Sequence, residues 1–91
     1  MYFLDFLSQY KRFLDGTLSA PDFSHWLFSH NDEMEAGLHD REWASFVEAQ
    51  HLAAEFTGGH IGEAEFRHQL DQLWTTKILP LNASGIANPS S

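Results

Sequence analysis

Two pairs stand out among the residues able to do chemistry: Glu48-Ala-Gln-His51 and Glu65-Phe-Arg-His68. Residues three apart share a helix face, and Glu-x-x-His is the spacing that sets a carboxylate beside an imidazole in carboxylate-bridged di-iron bundles. Such a site needs both pairs turned inward, with a further carboxylate from each of two other helices. At about 100° per residue, Glu48 falls more than a third of a turn from the apolar face marked by Trp43 and Val47. His68 falls roughly opposite Phe66 and Leu73, so both pairs are expected to point to solvent. Asp5 lies on a polar face and Asp22 at a helix start, which leaves no inward carboxylates to complete the set. No metal and no cofactor are expected.

Other reactive sets are weaker. The chain has no Cys, so thiolate nucleophiles, thiolate zinc sites and disulfides are excluded. It has no phosphate loop and no serine in a nucleophile elbow. A calcium loop counted from Asn31 would need Gly at its sixth position, where Ala36 stands. His30, on an apolar helix face, reads as a boundary histidine rather than a base. The expectation is a binding protein and not an enzyme.

Charge says what it could bind. Thirteen Asp and Glu face five Lys and Arg, for a net charge of −8 at pH 7. Nucleic acid and anionic membranes would be repelled, and a basic protein is the natural complement. Lys11-Arg12 is the lone adjacent basic pair, far short of a nucleic-acid surface. The start of the chain, Met1-Tyr-Phe-Leu-Asp5, has no basic region and is broken by Asp5, unlike a signal peptide. With the absence of Cys, this leads to an expected cytoplasmic setting.

The elements that position these residues are organised around Phe13-Leu-Asp-Gly16-Thr-Leu18-Ser19-Ala-Pro-Asp22-Phe23. Gly16 can take the left-handed conformation that ends a helix. Ser19 can cap the next one, with Pro21 in its first turn, Asp22 in a shortened capping box, and Leu18 and Phe23 as a staple. The device recurs: Phe13 matches Phe56, Gly16 matches Gly59, Leu18 matches Ile61, Asp22 matches Glu65 and Phe23 matches Phe66. Helical periodicity predicts helices over 2–14, 20–29, 40–56 and 63–79, the last ended by Pro80. The first presents Tyr2, Phe3, Phe6, Leu7, Tyr10, Phe13 and Leu14 to the core; the third presents Trp43, Phe46, Val47, Gln50, Ala53 and Ala54. Asn31 to His39 reads as a long connection, with Met34 tucked beneath it. The fold class expected is all-α, an antiparallel four-helix bundle built from two helical hairpins over 1–80, followed by a disordered polar tail over 81–91.

The phrase from Phe13 to Phe23, read as F-L-x-G-x-L-S-A-x-[DE]-F, resembles the opening of the colicin D immunity-like family. Size, helical pattern and acidity agree with that family over about residues 2–79. The resemblance implies a small bacterial immunity or antitoxin protein that binds a nuclease toxin, typically one cleaving tRNA, and blocks its basic active site. It transfers no individual binding residue. The alternatives are an acidic helical inhibitor of another nucleic-acid-binding protein, a DNA mimic, or a metal-binding bundle.

For any basic partner, the densest acidic stretch is the candidate surface: Asp32, Glu33, Glu35, Asp40 and Glu42, with Arg41 alone to offset them. Glu48 and Glu55, on the outer face of the following helix, would extend it, and Phe28 is a candidate apolar contact.

Overall fold

A computed structural model describes residues 2–81. These form helices α1 (Tyr2–Asp15), α2 (Ala20–Ser29), α3 (Asn31–Gly37), α4 (Asp40–Thr57) and α5 (Glu63–Leu73), and α5 runs on into a wide π-helical turn at Trp74–Ile78. The described residues are all-helical. The tail expected over 81–91 lies, apart from Leu81, outside them.

The two predicted corners are the same turn built twice. Gly16 and Gly59 have φ of +88° and +81°, the region that carries no penalty when Cβ is absent. Gly16 N–H donates to Phe13 O, and those of Thr17 and Leu18 to Arg12 O. Gly59, His60 and Ile61 repeat this on Phe56 O and Glu55 O. Across each corner the matched rings stack: Phe13 on Phe23 at 5.2 Å, Phe56 on Phe66 at 4.7 Å. The copies differ at the cap. Ser19 Oγ accepts from Asp22 N–H at 3.2 Å, whereas Gly62 holds the same place before α5 with no side chain to offer. At the start of α4 the Glu42 carboxylate accepts a hydrogen bond from the His39 N–H at 3.1 Å.

Phe6, Tyr10, Phe13, Phe23, Phe46 and Phe66 are fully buried and meet largely edge to face or stacked. Tyr10 OH donates to Leu70 O, joining α1 to α5. Arg67 reinforces the same joint, donating to Phe13 O at 2.7 Å with its guanidinium 4.2 Å above the Phe13 ring. α2 packs against α4, and Ala20 and Ser24 on the one helix and Ala49 and Ala53 on the other are all buried. Gln50 Nε2 donates to Leu27 O across this seam.

Four expectations are corrected. Tyr2, placed in the core stripe of α1, is 43 % exposed, because it stands at the open end of the helix with its ring against Gly37. The connection from Asn31 is helical, so the described chain has five helices and not four. Asp32 and Glu33 sit in the first turn of α3, where carboxylates favour the positive end of a helix, and Met34 anchors it at 1 % exposure. On α4, Ala49 rather than Ala54 completes the inner face, and Ala54 is exposed. Pro80 does not end the last helix: helical conformation continues through Leu81. The wide turn before it has a packing reason. On a regular helix Ile78 would lie about 80° round from Leu70. Widening the turn takes back about that angle, and both side chains are fully buried.

Candidate binding surface

The acidic run divides between two helix starts. Asp32, Glu33 and Glu35 project from α3, and Asp40 and Glu42 from the first turn of α4. All are exposed except Glu42, which its bond to the His39 amide draws partly in. Among the described residues, no Lys or Arg lies within ion-pair distance of any of them. Glu33 Oε1 is 3.8 Å from His30 Nε2. His30 itself is the joint between α2 and α3: its ring stacks on Trp26 at 4.4 Å and its Nδ1 lies 2.9 Å from Trp26 O.

Part of this acidity has a local use. Asp32, Glu33, Asp40 and Glu42 all sit in first turns, where they complement exposed amides. Glu35 has no such role, being past the first turn of α3 and exposed. Glu55 is also exposed, and it stands near the C-terminal end of α4, where a negative charge is unfavourable.

The extensions do not join the run. Glu55 lies about 20 Å along α4 from Glu42 by helix rise. Glu48 is engaged within the chain, its carboxylate 2.9 Å from Lys77 Nζ, a half-exposed pair of small energetic weight. Phe28 is 44 % exposed near the end of α2, as its place off the apolar face requires. The Glu-x-x-His residues Glu48, His51, Glu65 and His68 are all exposed, so neither pair faces the core.

One feature sequence reasoning missed is a hollow of about 370 Å³ between α4 and the wide turn. Arg41, Ala44, Ser45 and Glu48 form its α4 wall; Lys77, Pro80 and Leu81 form the other. A second opening of about 360 Å³ continues it past Arg41 and Leu81 toward His39, Asp40 and Glu42. The i, i+3/i+4, i+7 spacing of the α4 wall was readable, but the opposite wall depends on helix continuing beyond Pro80, which the sequence argues against.

Burial pushes the Tyr10 phenol well above its ordinary pKa of 10, and the charges of Asp71 and Glu48 add to the shift. No helix of the described residues is long and apolar enough to cross a membrane. Compared with protein-family models, curated proteins and solved structures, the chain matches none.

Proposed function

We propose that the chain is an immunity or antitoxin-type binding protein that covers the basic active site of a nuclease toxin, of the kind that cleaves tRNA. A nuclease groove is basic because it holds phosphates. An exposed row of carboxylates on a rigid helical frame offers the same charge without a bond to cleave. In this reading α1 with α2, and α4 with α5, are the two hairpins of a four-helix bundle, and α3 is the addition that presents the acids. The mechanism is blockade in the cytoplasm, with no chemistry supplied by the chain.

The observation that carries the reading is the α3–α4 run itself: Asp32, Glu33, Glu35, Asp40 and Glu42 on adjoining helix starts, with no Lys or Arg partner among the described residues, in a chain of net charge −8. Clustered like charges oppose compaction, and helix N-terminal amides offset only part of the run, so a basic partner relieves the rest.

The test begins with a search of the neighbouring reading frames for a basic nuclease domain, whose absence counts against the reading, and proceeds to a binding titration against such a domain, with tRNA cleavage followed in parallel. Glu33→Gln with Glu35→Gln is expected to weaken binding by about 2 kcal/mol, mostly through slower association at low salt, with helicity unchanged. Wild type should lose affinity as salt rises. Equal affinities for wild type and variant at both salts remove α3 from the interface. Binding that leaves cleavage intact removes the blockade. Competition by duplex DNA for a different basic partner would favour the DNA-mimic alternative.

A further inference from the structure

The hollow between α4 and the wide turn has the parts of a small-molecule site, and its case is independent of the acidic surface. Two helical stripes face each other across it. At one end the Lys77–Glu48 pair, 2.9 Å apart, closes the gap. The middle is lined by Ala44, Pro80 and Leu81, apolar side chains with no polar atoms to satisfy. Ala44 is the small residue that makes room on the α4 side. At the far end stands Arg41, two turns before Glu48 on the same helix face and so about 10 Å from it by helix rise.

Arg41 differs from Lys77 and Arg67 in its partners. Lys77 is held by Glu48, and Arg67 is held by Glu63 and the Phe13 ring. Arg41 has no carboxylate within ion-pair distance among the described residues, although Asp40 and Glu42 flank it in sequence. Ser45 is no competing donor, because its hydroxyl already donates to Arg41 O at 3.1 Å. The lining thus holds one cation with no carboxylate partner among the described residues, beside an apolar middle.

We propose that this groove binds a small monocarboxylate with a short apolar body, the carboxylate on the Arg41 guanidinium and the body over Ala44, Pro80 and Leu81. Geometry favours a carboxylate, whose two oxygens match the guanidinium fork. Charge disfavours a dianion such as phosphate: Glu48 in the hollow and Asp40 and Glu42 in the opening beside it repel two negative charges more than one. The volume of about 370 Å³ lies at the small end of ligand pockets, which suits a short aliphatic acid.

The experiment titrates the full chain with hexanoate and follows backbone amides by NMR, with hexanol and inorganic phosphate as comparison probes. Hexanoate is expected to move the amides of Ala44, Ser45, Lys77 and Leu81, with half-saturation on the order of 1 mM. Arg41→Gln should weaken binding about tenfold, the loss of one charge-assisted contact. Ala44→Leu, which fills the slot and keeps good helix propensity, should abolish binding while leaving the remaining spectrum in place. Hexanol binding as tightly as hexanoate, phosphate binding as tightly, or an Arg41→Gln variant with unchanged affinity would each overturn the proposal. So would a hexanoate titration that moves nothing.

Discussion

Tyr10 places a phenol where water does not reach and spends its proton on Leu70 O, sixty residues away in the chain. Unfolded, that phenol ionises near pH 10; folded, burial holds the proton on well above that. Its folded pKa is raised, so its contribution to stability is complete below about pH 10 and drains away as pH climbs further. Tyr10→Phe is expected to cost about 1 kcal/mol near neutral pH, the net worth of one buried hydrogen bond. It should also flatten the alkaline limb of a stability-against-pH curve measured by urea unfolding. Ser24 is the opposite case: 1 % exposed, with a hydroxyl that finds no partner. Ser24→Ala should raise stability by about 1 kcal/mol in the same assay, because a buried unpaired hydroxyl is removed and a better helix former installed. The aromatic core was readable from periodicity, since large apolar side chains at helical spacing must share a face. Ser24, Ser45 and Ala49 were not, because small or polar residues carry no signal of burial; a neighbouring helix coming close is what covers them.

At the scale of elements, the glycines and the Ser19 cap of the two corners were legible, but the capping box expected of Asp22 forms only in half: its N–H donates to Ser19 Oγ and its carboxylate does not return the bond. Gly16, Gly59 and Ser19 act through local backbone geometry that tertiary context does not override. Their one difference is a prediction. Gly62 precedes α5 with φ −82° and ψ 174°, the extended conformation of a capping residue, and a Cβ there would meet nothing within 4 Å. Gly62→Ser, making the second corner match Ser19 in the first, should stabilise by about 0.5–1 kcal/mol and raise the melting temperature. A loss of stability would mean that the second corner needs glycine at this point. α3 went unread because a helix of seven residues with Met34 as its buried anchor has no periodicity to detect. Its signals were a cap's worth of chemistry: Asp32 and Glu33 at one end, Gly37 beneath the Tyr2 ring at the other. The wide turn at Trp74–Ile78 left no mark in the sequence at all, because it answers a phase problem posed by the core.

For the whole molecule, charge is the governing quantity. Eight net negative charges on a small frame repel one another, and the ion pairs among described residues are few and largely exposed. Raising sodium chloride from about 10 mM to about 150 mM should therefore raise the melting temperature, since the screening length falls from about 30 Å to about 8 Å. A melting temperature that falls with salt would show that the exposed pairs outweigh the repulsion. The exposure of the candidate site residues was legible, because Asp and Glu off an apolar stripe face water. Their division into cap, ion pair and free carboxylate was not. That Glu42 reaches an amide and Glu48 reaches Lys77 depends on which helix ends meet, and only the assembled fold supplies that.

The bond from Tyr10 to Leu70 also bears on synthesis. A chain made from its N-terminus at about 5–20 residues per second exposes the aromatic stripe of α1 for roughly 3–12 s before its last cover is translated. During that interval Phe6, Tyr10 and Phe13 lack α5, and Phe46 arrives partway through. An aromatic stripe left uncovered for that time is a site for aggregation, and the acidic residues that emerge between the two halves of the core add like charge that opposes it.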